Sequence, residues 1–226
     1  MKIKPKAFFV ISAWNNDVSW VEEYTDDYLI FDKSHNLPES DKIRRINNVG
    51  YNINDICLYI IENYNNLPPL VAFLEGDPWT HCKRETFDKL IYNEFFTPLE
   101  DYSNVPESSA YRKDPVDGGY MEINTSWYLY SHSETHGSET HRYFTFYNEF
   151  LDAIFENPEF KNPRYLKWIR FSPGGQYIVP KENILFYSKK FYEKLMSYVD
   201  YHRIPAEAFL IERALYYIFT NKWREK

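Results

Sequence analysis

Leu70-Val71-Ala72-Phe73-Leu74-Glu75-Gly76-Asp77-Pro78-Trp79 is the stretch on which the reading of this chain turns. An apolar run bounded by Pro68-Pro69 on one side and Gly76 on the other has the length and composition of a buried strand. It stops abruptly in two carboxylates with one glycine between them. Open α/β sheets bind ligands outside the carboxyl ends of their strands, so Glu75 and Asp77 stand where a ligand would sit. Gly76 lets both turn toward one hard cation, and such a cation holds phosphate oxygens well. The competing reading is an acidic turn that closes a strand.

The residues upstream repeat the pattern. Ala7-Phe8-Phe9-Val10-Ile11-Ser12-Ala13 is a second continuous apolar run, and Tyr28-Leu29-Ile30-Phe31, ending in Asp32-Lys33, is a third. Residues 18–24 read as a short helix. A longer one runs to about Asn63, with Asn52 or Asn54 as its cap and Ile53, Ile56, Cys57, Ile60 and Ile61 on one face. Continuous apolar strands alternating with helices predict a mostly parallel α/β sheet flanked by helices. The loops after Ala13, Phe31 and Leu74 then share one edge of it.

Residues 34–47 are polar and turn-rich. Beyond Trp79 the pattern loosens. Helices are predicted over 86–96, 144–155 and 205–222, two helical pieces over 181–201, and strands at 169–171 and 177–179 around Pro173-Gly174-Gly175-Gln176. The stretch 97–119 reads as loop. No linker interrupts the chain, so one domain is expected over 1–226, with 1–80 as a nucleotide-binding half and 81–226 as an acceptor-side half.

Composition narrows the partners. The net charge of −7 leaves no basic excess for nucleic-acid phosphates. Two cysteines, Cys57 and Cys82, without metal spacing fit a reducing compartment. No run approaches the roughly 20 apolar residues of a membrane-spanning helix, which points to the cytoplasm. An aromatic share of 19% either lines sugar-binding surfaces or reflects a Tyr- and Asn-rich bias.

Each candidate residue has two readings. Ala13-Trp14-Asn15 holds a base and ribose through backbone groups and a stacked aromatic, or forms an Asx turn. Asp32 and Lys33 contact base or ribose, or make an exposed ion pair. Arg44-Arg45, ahead of Asn48 and Gly50, offers bidentate phosphate contact or a solvated face. Gly50 suits a left-handed turn or close backbone approach. His81 contacts substrate or packs near the site. His132, His136 and His141 suggest a metal less than a polar loop. His202 is a remote metal candidate. Gly175 and Gln176 admit a sugar to the backbone or make a plain turn. Glu212-Arg213 is an internal pair or reaches an acceptor; Glu207 is a second candidate base.

Taken together, Asn48-Val49-Gly50, Tyr59-Ile60-Ile61-Glu62-Asn63-Tyr64-Asn65-Asn66-Leu67-Pro68, Phe73-Leu74-Glu75-Gly76-Asp77-Pro78-Trp79-Thr80-His81, Gly174-Gly175-Gln176-Tyr177-Ile178-Val179, Phe191-Tyr192-Glu193-Lys194-Leu195 and Glu212-Arg213 resemble a glycosyltransferase-like family catalogued as a domain of unknown function. The resemblance covers roughly residues 7–220. The chain is also similar to the N-terminal glycosyltransferase module of a large chlorovirus protein. That likeness implies one module of a longer polypeptide, acting in a host cytoplasm.

The resemblance implies a GT-A fold, a nucleoside-diphosphate sugar with a UDP-sugar favoured, a Mn²⁺ or Mg²⁺ ion on Asp77, and a glycan or glycoprotein acceptor. If the transfer inverts the anomeric centre, a carboxylate must deprotonate the acceptor hydroxyl, and Glu212 and Glu207 are the candidates; a retaining transfer is also open. A non-catalytic nucleotide- or carbohydrate-binding module on a degenerate transferase fold is the alternative, and a metal-dependent phosphohydrolase a third. Two departures stand out. The family tends to have Arg-Glu after Asn-Val-Gly where this chain has Tyr51-Asn52, so either Arg44 or Arg45 takes the phosphate contact or the donor sits differently. The acidic motif is Glu-x-Asp rather than Asp-x-Asp.

Overall fold

The computed structural model describes residues 4–102, 108–124, 142–144, 147–156, 167–222 and 224–225. The first part of the chain forms β1 (Phe8–Ala13), α1 (Val21–Tyr24), β2 (Tyr28–Asp32), β3 (Ile43–Arg45), α2 (Tyr51–Asn63), β4 (Leu70–Glu75) and α3 (Arg84–Leu90). Then come β5 (Thr97–Pro98), β6 (Tyr111–Lys113), β7 (Tyr120–Ile123), α4 (Tyr147–Ile154), β8 (Phe155–Glu156), β9 (Trp168–Arg170) and β10 (Tyr177–Pro180). The chain ends in α5 (Lys181–Ile184), α6 (Lys189–Ser197), α7 (Ala206–Phe219) and β11 (Arg224–Glu225).

The result is an α/β domain on a mixed six-stranded sheet of order β3-β2-β1-β4-β10-β5. β1 pairs in parallel with both β2 and β4, and β2 with β3. β10 runs antiparallel to β4, and β5 antiparallel to β10. The first 80 residues and the remainder thus share one sheet. Two small antiparallel sheets, β6-β7-β9 and β8-β11, lie beside it.

Alternation along the apolar runs divides the core. Val10, Phe31, Val71 and Phe73 face a cluster built with α2, α4, α6 and α7. Phe9, Ile11, Ile30, Ala72 and Leu74 face a second, containing Trp20, Tyr24 and Phe87. Both faces of the central strands are covered, as continuous hydrophobicity requires. On α2, Ile53, Ile56, Cys57 and Ile60 are buried; each fully buried isoleucine contributes roughly 1.5–3 kcal/mol.

Four local expectations are revised. Neither Asn52 nor Asn54 caps α2; the helix begins at Tyr51 behind Gly50, which is left-handed at φ 66°. A Cβ on Gly50 would fall 2.5 Å from the Asn54 Cβ, so glycine is required. The turn-rich segment 34–47 contains β3, a short edge strand paired with β2. The helix expected over 86–96 ends at Leu90, where Asn93 and Thr97 bond side chain to side chain in the turn beyond it. The stretch 97–119, read as loop, supplies β5 and β6. His132, His136 and His141 lie outside the described residues. No helix among the described residues is long and apolar enough to cross a membrane.

Candidate functional site

The end of β4 is clamped from two sides. The Gly76 N–H donates to the Ser12 carbonyl at 2.7 Å, and the Trp20 indole N–H donates to the Gly76 carbonyl at 2.9 Å. A Cβ at Gly76 would lie 2.6 Å from Asn16 Oδ1, so only glycine lets the loops after β1 and β4 pack this closely. Gln176, fully buried, accepts from the Glu75 N–H at 3.3 Å and donates to the Pro78 carbonyl at 3.1 Å. It braces the acidic loop and is not open to a ligand. Asp77 remains exposed, its Oδ1 accepting from the Trp79 N–H at 3.3 Å.

A cleft of about 380 Å³ opens beyond β1, β2 and β4, with Trp14, Asn48, Tyr51, Asp77, His81 and Arg203 on its walls. Ser12, Lys33, Glu75 and Gly76 contribute to the same lining. Lys33 is buried. Its ammonium lies 3.0 Å from Asp55 Oδ1 and donates to the Val49 carbonyl at 2.9 Å and to the Tyr51 carbonyl. Ser12 donates to the other Asp55 oxygen. Two backbone hydrogen bonds and a buried ion pair thus engage Lys33, which fastens the start of α2. This fastening holds Tyr51 at φ 52°, a left-handed conformation that costs a non-glycine residue about 1–2 kcal/mol.

Asp32 is likewise structural. Its buried carboxylate accepts from the backbone N–H groups of Ser34, His35 and Leu37 and from the Ser34 hydroxyl. Asp32 and Lys33 therefore do not form an exposed ion pair; both are buried and bonded within the protein. Ala13 is buried in the sheet, its carbonyl taken by the Lys33 N–H. Asn15 turns outward in a left-handed conformation and bonds Asn36. Arg45 donates to the Leu37 carbonyl, and Arg44 pairs with Glu62; neither lines the cleft. The arginine that does is Arg203, whose guanidinium lies 5.4 Å from the Trp14 ring centre. Its loop is tied to the turn at Gly50 by the Gly50 N–H to His202 carbonyl bond and the Tyr51 N–H to Arg203 carbonyl bond. His202 Nδ1 accepts from the Ile204 N–H.

A second cleft, of about 480 Å³, adjoins the first and shares Tyr51, Glu75, Thr80 and His81 with it. Its far walls carry Tyr111, Tyr120, Phe171 and Phe209 together with Glu100, Glu122 and Glu212. Glu122 is neutralised by a buried bidentate bond from Arg213, 3.1 Å to each oxygen. Glu100 is held by Arg170, whose guanidinium also bonds Asp117.

Glu212 accepts from the Gly174 N–H at 2.7 Å and from Arg213 at 3.3 Å, and burial raises its carboxyl above the usual range. Glu75, at the junction, is pushed up to about 8 by burial and by the Glu212 and Asp77 carboxylates. Burial lowers His81, so at neutral pH the 3.8 Å approach of its imidazole to Glu75 joins an uncharged ring to the carboxyl.

Glu207 does not reach either cleft. It is fully buried and accepts from the Tyr143 N–H and the Tyr201 hydroxyl at 2.6 Å each, which removes it as a base. Gly175 packs against Leu215 and Asn52, and it is Gly174 that faces the cleft; a Cβ there would meet His81 at 2.6 Å and Glu75 at 2.9 Å. Arg203 and the Glu100–Glu122 wall went unread in the sequence, since no spacing joins 203 or 122 to the motif at 75–77.

The model of a family described as "Protein of unknown function (DUF3431)" matches residues 9–225. No curated protein and no solved structure matches the chain.

Proposed function

We propose that this chain, which belongs to the DUF3431 family, is a metal-dependent glycosyltransferase of GT-A type, taking a sugar from a nucleoside-diphosphate donor, UDP-sugars first, to a hydroxyl acceptor such as a glycan. The observation that carries the reading is the pair of clefts meeting at Glu75 at the carboxyl ends of β1 and β4. A transferase needs two substrates face to face, with the reacting bond at the boundary. The first cleft offers an indole, an arginine and Asp77; the second offers aromatic walls and a buried carboxylate.

The residues fit a divalent cation bound with its ligand. No group of three or more His, Cys, Asp or Glu among the described residues forms a metal cage. Mg²⁺ usually takes one or two carboxylates and completes its shell with water and substrate phosphates. Asp77 is the exposed carboxylate for that role. Burial first, and then the neighbouring Glu212 and Asp77 carboxylates, raise the Glu75 carboxyl, so acidic groups converge beside Asp77. When bound, Mn²⁺ or Mg²⁺ would neutralise the departing diphosphate.

Glu212 is the base in this scheme. Its Oε1 is positioned by the Gly174 N–H, its burial favours taking a proton, and it lines the second cleft. It would receive the proton of the acceptor hydroxyl in an inverting transfer. Tyr111, Tyr120 and Phe209 supply faces for sugar rings to pack on.

The test is a screen of UDP- and GDP-sugars with Mn²⁺, reading nucleoside diphosphate release. Release that hydroxyl acceptors accelerate and that Asp77→Ala abolishes supports the reading. Donor binding with neither transfer nor hydrolysis would make the chain a binding module. Fast cleavage of simple phosphoesters would make it a phosphohydrolase.

A further inference from the structure

We infer that Arg203, seated on Trp14, is the residue that grips the phosphates of the ligand in the first cleft, in place of the arginine pair at 44–45. The inference rests on the nucleotide-sugar reading for the identity of the ligand, and on geometry for the residue.

Phosphate recognition needs a cation that is not already spent. The cationic side chains lining this cleft are Lys33 and Arg203. Lys33 is engaged by Asp55 and by two backbone carbonyls. Arg44 is held by Glu62, Arg45 by the Leu37 carbonyl, and neither lines the cleft. Among the described residues no hydrogen bond or ion pair engages the Arg203 guanidinium; its neighbour is the face of Trp14, 5.4 Å from the ring centre.

A guanidinium lying over an indole face, with no hydrogen bond or ion pair to the described residues, has N–H groups left for a ligand. A guanidinium edge matches two phosphate oxygens at once. Stacking also limits the rotamers of a long side chain, so less freedom is lost when the anion arrives.

The backbone beneath is fixed as well. The Gly50 N–H reaches the His202 carbonyl at 2.8 Å and the Tyr51 N–H reaches the Arg203 carbonyl at 3.0 Å. Those are the two left-handed residues at the start of α2, and Lys33 bonds the carbonyls on either side of Gly50. The loop carrying Arg203 is therefore anchored to the turn at Gly50 and Tyr51 by a pair of backbone hydrogen bonds. With Asp77 on the same cleft, an anion meets Arg203 directly and the carboxylate through a divalent cation, so both contacts favour a phosphate chain over a neutral ligand.

Calorimetry on the full chain tests this with two probes in the presence of Mn²⁺: inorganic pyrophosphate and UDP. Arg203→Ala is expected to weaken both by about tenfold to a hundredfold, the range for losing a charged hydrogen-bond pair, and to flatten the dependence of affinity on salt. Arg203→Lys, which keeps the charge and loses the fork, should fall between. Arg45→Ala should match the wild type. Circular dichroism of each variant checks that it is folded.

If UDP binds the wild type and Arg203→Ala equally, the assignment of Arg203 is overturned while the nucleotide reading stands. If pyrophosphate binding depends on Arg203 but UDP binds no better than pyrophosphate, Arg203 stands and the nucleotide reading falls. If neither probe binds the wild type, both fall.

Discussion

The two clefts differ in what their charges are left to do after the fold has used its share. In the first, Lys33 is consumed by Asp55 and two carbonyls, and Asp32, next to it in the chain, by a loop. What remains for a ligand is at the mouth: Arg203 on Trp14, and Asp77. In the second, two carboxylates are paired with buried arginines, Glu122 with Arg213 and Glu100 with Arg170, and two further carboxyls, Glu212 and Glu75, are raised above the usual range by burial. In the proposed reading the first cleft takes phosphate and cation, and the second takes hydroxyl groups and removes a proton. That reading rests on the charges left after pairing rather than on buried charge as such.

The sharpest way to break that contrast is Glu212→Gln. A general base contributes typically about 10²- to 10⁴-fold, so kcat is expected to fall in that range while calorimetric affinity for the nucleotide donor holds. Arg203→Ala should show the opposite split. Equal losses of donor affinity in both variants would mean that the clefts are not separate in function.

Lys33→Ala probes the floor of the first cleft. It leaves Asp55 buried without its cation, and breaking a buried pair from one side costs about 3–5 kcal/mol. Urea unfolding should show that loss. The Tyr143 N–H and the Tyr201 hydroxyl donate to different oxygens of Glu207; Glu207→Gln keeps one acceptor oxygen and turns the other into an amide NH2, and a loss of roughly 1–3 kcal/mol is expected. With the protein still folded, kcat should stay near wild type. A collapse of kcat comparable to that of Glu212→Gln would restore Glu207 as a base.

That last pair could have been separated from the sequence. Five residues along an α-helix turn the direction by about 140°, so Glu207 and Glu212 could not both face one cleft. The parallel core was legible for a plain reason: strands buried on both faces are continuously apolar, and Phe8–Ala13, Tyr28–Asp32 and Leu70–Glu75 each announce themselves. β3 was hidden because Ile43–Arg45 is a short edge strand with two exposed arginines. β6 and β7 were hidden because Tyr111–Lys113 and Tyr120–Ile123 are brief and carry charge.

In the site, Glu75, Asp77 and Glu212 were legible as charges beside apolar runs. Whether a charge was spent was not legible. The partners of Lys33 and Glu207 lie 22 and 64 residues away, at Asp55 and Tyr143, and pairing at such distances has no periodic signature.

The last test concerns Glu75, the carboxyl that belongs to both clefts. In the folded, metal-free protein it is held up to about 8 by burial, Glu212 and Asp77, whereas in the unfolded chain it titrates near 4.3. Between those values the folded state binds the proton that the unfolded state has released. Its contribution to stability is therefore fully present below the unfolded value and is lost as pH rises toward 8. The slope for one proton is at most about 1.4 kcal/mol per pH unit. Chelator-treated wild type should lose stability across pH 5 to 8 in urea titrations, and Glu75→Gln, neutral throughout, should flatten that slope. Equal slopes in the two proteins would mean that Glu75 is ionised in the folded state, and that two carboxylates rather than Asp77 alone bring negative charge to the junction of the clefts.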